Sequence, residues 1–424
     1  MIISRACEAR PVLEKPITDG RTTSYRDFPL KKRLINQNIP DGVELSEIDV
    51  KAVQRIQETP FKINTQYLRA IKECMTEGLH IPKKMNLEVP EPLEPLSSFP
   101  KFVKGTDKEA FKNAKSAWFK DEQNMKNYHE WAKKRDRRLK DISKAISVND
   151  MNKRTLEIAE WYSDWGGAFY LPVYFDYRTR TYYVPTIMNP QASKMSKALF
   201  VSAQSEEITS EGMDYWLVNF ANSMDTVRDR YGMPYGGDKS PWNVALYSAK
   251  NELSKGAEVA SDPVGTFDYW SKQDDPFAYL AQSFECADVI ESGSEARSRI
   301  FLHLDGSNNG AQHASAYLMD KSTAELVNMT YRSDDTAPSD MYGSVAQTFT
   351  DKLADALLDK AFIKKNVVTR NACKRIVMCM NYGLTPSGAL NYAKEEIEEY
   401  TDKDMRNPFD EFHEKGREGI YEFF

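Results

Sequence analysis

The feature that most constrains the fold is a run of residues spaced four apart, Arg370, Lys374, Met378 and Tyr382. A step of four residues advances about 40° around an α-helix, so these side chains are predicted to lie along one helix face. Like charges at positions i and i+4 destabilise an isolated helix by about 0.2–0.5 kcal/mol. A triphosphate bound between the two cations would reverse that effect, and a solvated basic face is the alternative. The spacing therefore predicts a helix that either binds a nucleotide or exposes its cations to water.

Upstream of that helix, residues 300–305 alternate between aliphatic and other side chains, which is the period-two pattern of a β-strand. The strand is predicted to end at Asp305, on the face opposite its aliphatic residues. Gly306 would let the backbone approach a ligand closely. A carboxylate at a strand end is a suitable ligand for Mg²⁺. An aspartate that merely opens a tight turn is the commoner local explanation, and the two remain open at this point.

Local signals also predict the neighbouring helices. One helix is expected after the aspartate, capped by Ser307 or Asn309 and continuing to Leu326. Two more are expected near the amino terminus, at about 46–58 and 63–78, with a proline between them.

Two motifs together resemble the single-subunit RNA polymerases of bacteriophages and mitochondria. The first reads Asp-Gly-Ser-x-x-Gly-x-Gln-His at 305–313, and the second reads Arg-x-x-x-Lys-Arg-x-x-x-x-x-x-Tyr-Gly at 370–383. Further segments that match the family occur in the same order at 57–64, 176–182, 189–197 and 273–285. The resemblance thus covers roughly residues 50 to 390.

The resemblance implies specific catalytic roles. Asp305 would bind Mg²⁺, with help from the carbonyl group of Gly306. Lys374 would hold the triphosphate of the incoming nucleotide. Tyr382 would stack on the template–substrate pair and help to select ribose over deoxyribose. These three side chains, Asp305, Lys374 and Tyr382, are therefore the expected catalytic residues.

Two binding sets follow from the same resemblance. The residues expected to bind the incoming ribonucleoside triphosphate are Arg370, Lys374, Arg375, Tyr382 and Tyr342. The residues expected to contact the DNA template or the RNA product are Arg178, Arg180 and Lys197.

A second metal-binding aspartate is expected in this family, directly after a histidine and well past the second motif. After Gly383 the chain has Asp402, Asp404 and Asp410, and none of them follows a histidine. We therefore expect a second polymerase subunit to carry the other catalytic aspartate, as in split phage polymerases. Truncation of a longer reading frame is the alternative. The family's promoter-reading loop is also unmatched, so a helper that delivers melted DNA is expected.

Two other functions remain possible from the sequence. A family A DNA polymerase has the same spacing in its nucleotide-binding helix, but Gly306-Ser307 and Gln312-His313 favour an RNA polymerase. A nucleic-acid-binding subunit without catalytic activity could also have kept the motifs. Replacing Asp305 distinguishes an enzyme from a binding subunit, and the sugar of the incorporated nucleotide distinguishes the two polymerases.

The composition agrees with a nucleic-acid enzyme only when its distribution is considered. The formal net charge is -6, yet bases outnumber acids about two to one between residues 101 and 154. That basic stretch is either a phosphate-binding surface or an exposed helix of mixed charge with Trp118, Trp131 and Leu139 as its buried side. Five cysteines without paired spacing indicate reduced thiols, and no apolar run reaches the length of a membrane span.

The expected architecture is α+β and mostly helical, a palm-and-fingers fragment of a right-hand polymerase with a small antiparallel sheet. The expected divisions are 1–100 as an amino-terminal arm with helices, 101–165 as a basic helical region, 166–300 as a strand-rich segment with the start of the palm, and 301–424 as the palm motif strand with the fingers. The expected location is the cytoplasm of an infected bacterial cell.

Overall fold

The computed structural model describes residues 46–100, 107–175, 180–356, 370–380, 383–389 and 391–392, together with three short strands before residue 46. Two compact units are present, one of Met1–Asp238 with Ala245–Leu302 and one of Lys239–Val244 with His303–Phe424. The described fold is α+β and mostly helical, as predicted. None of its helices combines the length and the apolar character of a membrane span.

Helices account for most of the described residues. In chain order they are α1 Glu47–Gln57, α2 Thr65–Thr76, α3 Lys108–Phe119, α4 Glu122–Trp165, α5 Lys194–Lys197, α6 Ser210–Ser223, α7 Trp242–Ser261, α8 Phe267–Trp270, α9 Pro276–Ser292, α10 Asn309–Leu318, α11 Lys321–Leu326, α12 Met341–Ala356 and α13 Arg370–Met380. Single 3₁₀ turns occupy Gly237–Lys239 and Gly293–Glu295.

The strands are short and pair only in an antiparallel manner. They are β1 Ile17–Thr18, β2 Thr22–Ser24, β3 Lys32–Arg33, β4 Phe61–Ile63, β5 Val173–Phe175, β6 Thr181–Tyr183, β7 Phe200–Ser202, β8 Glu206–Glu207, β9 Thr226–Arg228, β10 Pro234–Gly236 and β11 Arg297–Ser298. The first three form one sheet, and the others pair as β4 with β7, β5 with β6, β8 with β11 and β9 with β10.

The predicted pair of amino-terminal helices is confirmed. Ser46 and Asp49 form a reciprocal capping box at the start of α1, which satisfies two backbone donors that the first helical turn leaves unpaired. Pro60 follows the helix and cannot continue it, because proline lacks a backbone donor. Asn64 then caps α2 by accepting a hydrogen bond of 3.1 Å from the Tyr67 amide. Local sequence therefore sets both helix starts.

An aromatic cluster forms the centre of the first unit. β4 pairs with β7 in the register Phe61 to Ser202, which brings Phe61 within 5.6 Å of Phe200, centroid to centroid. The same ring lies 6.3 Å from Phe169 and 5.3 Å from Phe301. Aromatic pairs at these separations contribute about 0.5–1.5 kcal/mol each beyond the burial of their area. Phe301 thereby anchors the end of the first unit, four residues before Asp305.

The basic region is helical, as predicted, but its buried side differs from the one considered above. Trp118 packs edge-on against Phe99, at 5.2 Å between ring centroids. Leu139 is 47% exposed, so it is not part of a buried face. The buried positions of α4 begin at Ala145, because α2 packs against the carboxyl-terminal half of this long helix. The middle of α4, which carries the densest basic run, is exposed to solvent.

The strand predicted at 300–305 is not formed, which corrects the sequence-based prediction. β11 ends at Ser298, where it pairs with β8. The carboxylate of Glu285 accepts a hydrogen bond of 2.9 Å from the next backbone amide, that of Arg299. A strand requires hydrogen bonds to a neighbouring strand, whereas side-chain alternation records only which faces are apolar. No described strand pairs with residues 300–305, so this alternating segment lacks the hydrogen-bonded neighbour that a strand requires.

The single helix predicted after Asp305 is two helices. Asn308, and neither Ser307 nor Asn309, caps α10 by accepting a hydrogen bond of 3.2 Å from the Ala311 amide. The helix ends at Met319, whose backbone is left-handed with φ 52°. Asp320 then starts α11 by accepting from the amides of Ser322 and Thr323. An aspartate is a strong helix cap, so the chain begins a new helix rather than extending the first.

Candidate active site

Asp305 lies at an exposed turn between an irregular segment and α10. Its Oδ1 atom accepts a hydrogen bond of 2.8 Å from the Gly306 amide. Its Oδ2 atom has no hydrogen-bond partner in the described part of the chain. A side chain at position 306 would approach the Gln312 amide oxygen to 3.0 Å, so glycine keeps this turn close to α10. The turn therefore presents one carboxylate oxygen to solvent.

Tyr342 connects this turn to α12. Its hydroxyl donates a hydrogen bond of 3.2 Å to the backbone carbonyl of Ser307, two residues after Asp305. The side chain is buried, with 7% of its surface exposed. Burial raises the pKa of the Tyr342 phenol, the Arg370 charge opposes this, and the carboxylates of Asp340 and Asp305 add to it. The phenol is consequently neutral at physiological pH and can donate the hydrogen bond to the Ser307 carbonyl.

The cationic face of α13 lies against the same tyrosine ring. The Arg370 guanidinium carbon is 5.4 Å from the ring centroid, and the Lys374 Nζ atom is 5.9 Å from it. Both distances are within the range of cation–π attraction. Among the described side chains of this helix, Cys373 and Val377 are buried, and both lie within about 60° of Arg370 around the helix axis. The cations therefore lie beside the packed residues of the helix and not opposite to them.

These contacts link Asp305 to Tyr342 through the Ser307 carbonyl two residues later, and they link Tyr342 to Arg370 and Lys374 through its ring. We call Asp305, Tyr342, Arg370, Lys374 and Asp340 the Tyr342 cluster. All five belong to the second unit. The two motifs that carry the cluster are 65 residues apart in sequence, counted from position 305 to position 370. Tyr342 therefore connects the turn after Asp305 with the helix that carries the cations.

Other residues suggested by the sequence lie elsewhere. Arg375 is on the same helix, but its guanidinium carbon is 3.8 Å from the Tyr392 ring centroid. Arg180, just before β6, and Lys197, the last residue of α5, belong to the first unit. Tyr382 and Arg178 fall outside the described residues.

Two further residues of this site escaped the sequence analysis. Asp340 forms an ion pair with Arg370, with 2.5 Å between Oδ2 and Nε. Asn328 donates to the Ser307 hydroxyl and to the Ser339 carbonyl. The sequence signals for Asp340 were its place two residues before Tyr342, in a segment that resembles the family, and its place directly before a helix, where caps usually lie. Both sets of contacts join residues that are distant in sequence, so the spacing of apolar and charged side chains along the chain does not reveal them.

A divalent metal fits one part of the site. Oxygen ligands suit Mg²⁺, which usually takes one or two protein carboxylates together with waters and substrate phosphates. Asp305 Oδ2 is exposed and unpartnered within the described residues, and the Gly306 carbonyl adjoins it in sequence. Across that same part of the chain, no three His, Cys, Asp or Glu side chains are grouped to hold a metal ion. The donor set therefore fits a metal held by a single carboxylate of this chain.

Comparison with known proteins agrees with the motifs. The family described as DNA-dependent RNA polymerase matches residues 206–418, half of the chain. The RNA polymerase of Enterobacteria phage T3 is 28% identical over 366 residues, covering 78% of this chain and 36% of that protein. The T7 RNA polymerase of Escherichia phage T7 is 27% identical, covering 78% of this chain and 37% of that protein.

A mitochondrial relative gives the same result. The mitochondrial DNA-directed RNA polymerase of Neurospora crassa is 26% identical over 353 residues, covering 82% of this chain and 22% of that protein. The chain thus spans between 22% and 37% of the length of these three relatives. Matches in the same order to phage and mitochondrial enzymes place it within one family. The chain belongs to the single-subunit DNA-dependent RNA polymerases of the phage and mitochondrial type.

Proposed function

We propose that this chain is a catalytic subunit of a DNA-directed RNA polymerase and carries the nucleotide-binding side of the active site. The observation that carries the proposal is the position of Tyr342, whose hydroxyl binds the turn after Asp305 and whose ring lies against the cations Arg370 and Lys374. Membership in the polymerase family supports the reaction class. The substrates are ribonucleoside triphosphates, read against a DNA template and joined into an RNA product.

The cations bind the triphosphate. Lys374 is exposed and Arg370 is half-buried, and one helical turn separates them. Their mutual repulsion makes the face favourable for an anion, because a bound triphosphate replaces repulsion with two charge-assisted contacts. Arg375 and Tyr382 extend the nucleotide-binding set by resemblance. Tyr342 holds the turn that carries Asp305, so the phosphates and the carboxylate meet beside one rigid ring.

Mg²⁺ is the proposed cofactor, and Asp305 and the Gly306 carbonyl would hold it. Bound metal in a two-metal site supplies charge stabilisation at the attacking and leaving oxygens of phosphoryl transfer. The role of the chain itself is to fix the carboxylate. The Gly306 amide hydrogen bond and the Tyr342 bond to Ser307 both restrict the turn. Asp305 Oδ2 is left available for the ligand.

A second polypeptide provides the other metal-binding aspartate in this proposal. Support comes from the single available carboxylate in the Tyr342 cluster, since Asp340 is engaged by Arg370. The active form would then be a heterodimer that works only when both carboxylates are assembled.

Nucleic-acid contacts are proposed for the first unit. Arg178, Arg180 and Lys197 match family segments, and the middle of α4 exposes a dense run of lysine and arginine. Local basic surface is sufficient for phosphate binding despite a net charge of -6. A helper that delivers melted DNA and a location in the cytoplasm of an infected bacterial cell complete the proposal.

The decisive experiment is RNA synthesis by the native complex with Asp305→Asn. We expect incorporation to fall by about a thousandfold or more while DNA affinity is unchanged, because the substitution removes one ligand charge and little volume. Asp351→Asn, which changes an exposed carboxylate of α12, is the matched control and should retain full activity. Unchanged synthesis by the Asp305→Asn complex would show a binding subunit without catalytic function.

Two further measurements test the need for a partner subunit and distinguish an RNA polymerase from a DNA polymerase. Robust primer extension by the purified chain alone, with Mg²⁺, would contradict the need for a partner. Preferential incorporation of deoxyribonucleotides would identify a DNA polymerase instead. Mass spectrometry of the native complex would identify the partner that carries the second aspartate.

A further inference from the structure

The ion pair between Asp340 and Arg370 holds the arginine through its Nε atom and leaves the two terminal nitrogens of the guanidinium available. Asp340 Oδ2 accepts from the Nε atom of Arg370 at 2.5 Å. The two terminal nitrogens of Arg370 have no hydrogen-bond partner within the described residues. A guanidinium has five donors in a fixed planar fork, so a bond through Nε leaves the terminal edge available. The Arg370 terminal edge is the part that a phosphate would meet.

Asp340 is itself fixed from several directions. It directly precedes α12, and its backbone carbonyl accepts a hydrogen bond of 3.0 Å from the Ser344 amide. Its Oδ1 atom is buried and has no hydrogen-bond partner in the described part of the chain. A side chain at position 343 would meet Oδ2 at 2.9 Å, so Gly343 leaves the space that the carboxylate occupies. The carboxylate oxygen that binds Arg370 therefore depends on the space that glycine leaves at position 343.

The charged groups around Asp340 favour its ionised form. Burial raises the pKa of the Asp340 carboxyl, but the Arg370 hydrogen bond, the Gly343 amide and the charges of Arg370 and Lys239 together lower it below its usual value. Arg370 and Lys239 are the cations that face the carboxylate, and Tyr342 packs beside the pair. The ion pair is thus intact at neutral pH.

We propose that Asp340 is a positioning residue for nucleotide binding, which orients Arg370 through Nε so that its terminal nitrogens point to the triphosphate. This inference rests on the proposed function, because it assumes that the Tyr342 cluster binds a nucleotide. A carboxylate that competed with the triphosphate would occupy the terminal edge of the guanidinium, and Asp340 does not. If Asp340 were only a helix cap, its substitution would have the same effect on ATP affinity with or without Arg370. The double variant therefore tests the proposal.

The test measures ATP affinity of the native complex that contains the full chain by calorimetry, with Mg²⁺ present and at low ionic strength. We expect Asp340→Asn to weaken binding about tenfold, since the loss of orientation reduces charge-assisted contacts. Arg370→Ala should weaken binding at least as much. In the double variant the effect of Asp340→Asn should vanish, because the residue acts through Arg370.

Asp320→Asn is the matched control. Asp320 also caps a helix of the second unit, yet its partners are Ser322 and Thr323 and no cation. Its substitution should leave ATP affinity within about twofold of the original chain, as expected of a cap remote from the ligand. If Asp340→Asn fails to fold, Arg370→Lys provides the second variant. A lysine keeps the charge but loses the Nε donor, and about tenfold weaker binding is again expected.

The outcomes are distinguishable. If the complex with the original chain does not bind ATP, both the proposed nucleotide site and the positioning role of Asp340 are wrong. If the original chain binds but Asp340→Asn binds equally well or more tightly, only the positioning role is overturned. An equal effect of Asp340→Asn with and without Arg370 would likewise overturn it, because Asp340 would then act by another route.

Discussion

The side-chain amide of Asn328 donates a hydrogen bond of 2.6 Å to the Ser307 hydroxyl. The same amide reaches the carbonyl of Ser339 at 3.0 Å, and the Ser339 amide returns a bond of 2.8 Å to the Asn328 side-chain oxygen. Ser307 follows Asp305 by two residues, and Ser339 immediately precedes Asp340. One side chain thus joins the turn after Asp305 to the start of α12.

Removing this link should destabilise the second unit. Asn328 has a left-handed backbone with φ 62°, so Asn328→Gly tolerates the conformation while losing the three hydrogen bonds. We expect a loss of about 1–3 kcal/mol in the free energy of unfolding, measured by urea denaturation. Asn328→Ala should cost about 1 kcal/mol more, because alanine is strained at positive φ.

Met319 gives a matched control for that experiment. It also has a left-handed backbone, with φ 52°, but it is 89% exposed, and its side chain has no hydrogen bond to any residue that the structure describes. Met319→Gly should therefore stabilise the chain slightly, by about 1 kcal/mol. Equal effects of glycine at both positions would show that backbone conformation, and not the Asn328 amide, controls the stability.

The two neighbouring cations of α13 should contribute unequally to triphosphate binding. Lys374 lies beside the Tyr342 ring, whereas Arg375 stacks on Tyr392. Lys374→Gln should weaken ATP binding by about tenfold or more, and Arg375→Gln by clearly less, because only the first lies in the Tyr342 cluster. Calorimetric titration of both variants at the same ionic strength tests this, and equal losses would contradict it.

Two buried thiols should resist alkylation in the folded chain. Burial raises the pKa of Cys74 to about 12, with Glu73 adding to the shift. Burial also raises the pKa of Cys286 to about 12, with further contributions from Glu252 and Glu285. Because the thiolate is the reactive species, iodoacetamide at pH 8 should leave both unmodified until guanidinium unfolds the chain. Peptide mass spectrometry reads each site, and half-buried Cys379 should react first.

The same shifts predict a loss of stability at alkaline pH. A thiol whose folded pKa exceeds its unfolded value stays neutral in the fold while the unfolded chain ionises. The contribution of Cys74 and Cys286 is therefore complete below about pH 8.5 and declines as the pH rises toward 12. Cys286→Ser or Cys74→Ala should flatten that decline in urea denaturation profiles measured between these limits. An unchanged slope would show that other groups cause it.

Glu252 should be important for the stability of the first unit. Its Oε1 atom accepts hydrogen bonds of 2.5 Å from the Tyr269 hydroxyl and 2.6 Å from the Tyr279 hydroxyl. Tyr279 is fully buried, so Glu252→Ala would remove the charged acceptor of its hydroxyl and cost about 2–3 kcal/mol. Glu252→Gln keeps an acceptor and should cost less. Glu258→Ala, which removes an exposed partner of Lys255, should change stability by less than about 1 kcal/mol in the same thermal or urea unfolding measurement.

Local sequence determined the elements whose cause is local. The period of α13 placed Arg370 and Lys374 on one face, and the structure confirms that face. The proline after α1 and the polar caps of α1 and α2 set those boundaries. Each of these features depends on residues within about one helical turn, and the two motifs were enough to identify the family.

Tertiary structure decided the features that need a distant partner. Residues 300–305 have the alternation of a strand, but no described strand pairs with them. Asp340 meets Arg370 across 30 residues, and Asn328 meets Ser307 across 21. A side chain's periodicity shows which way it faces, whereas its hydrogen-bond partner depends on where the rest of the chain folds. The sequence therefore suggested candidate groups such as Asp305 and Lys374, and only the fold determined contacts such as those of Asp340 and Asn328.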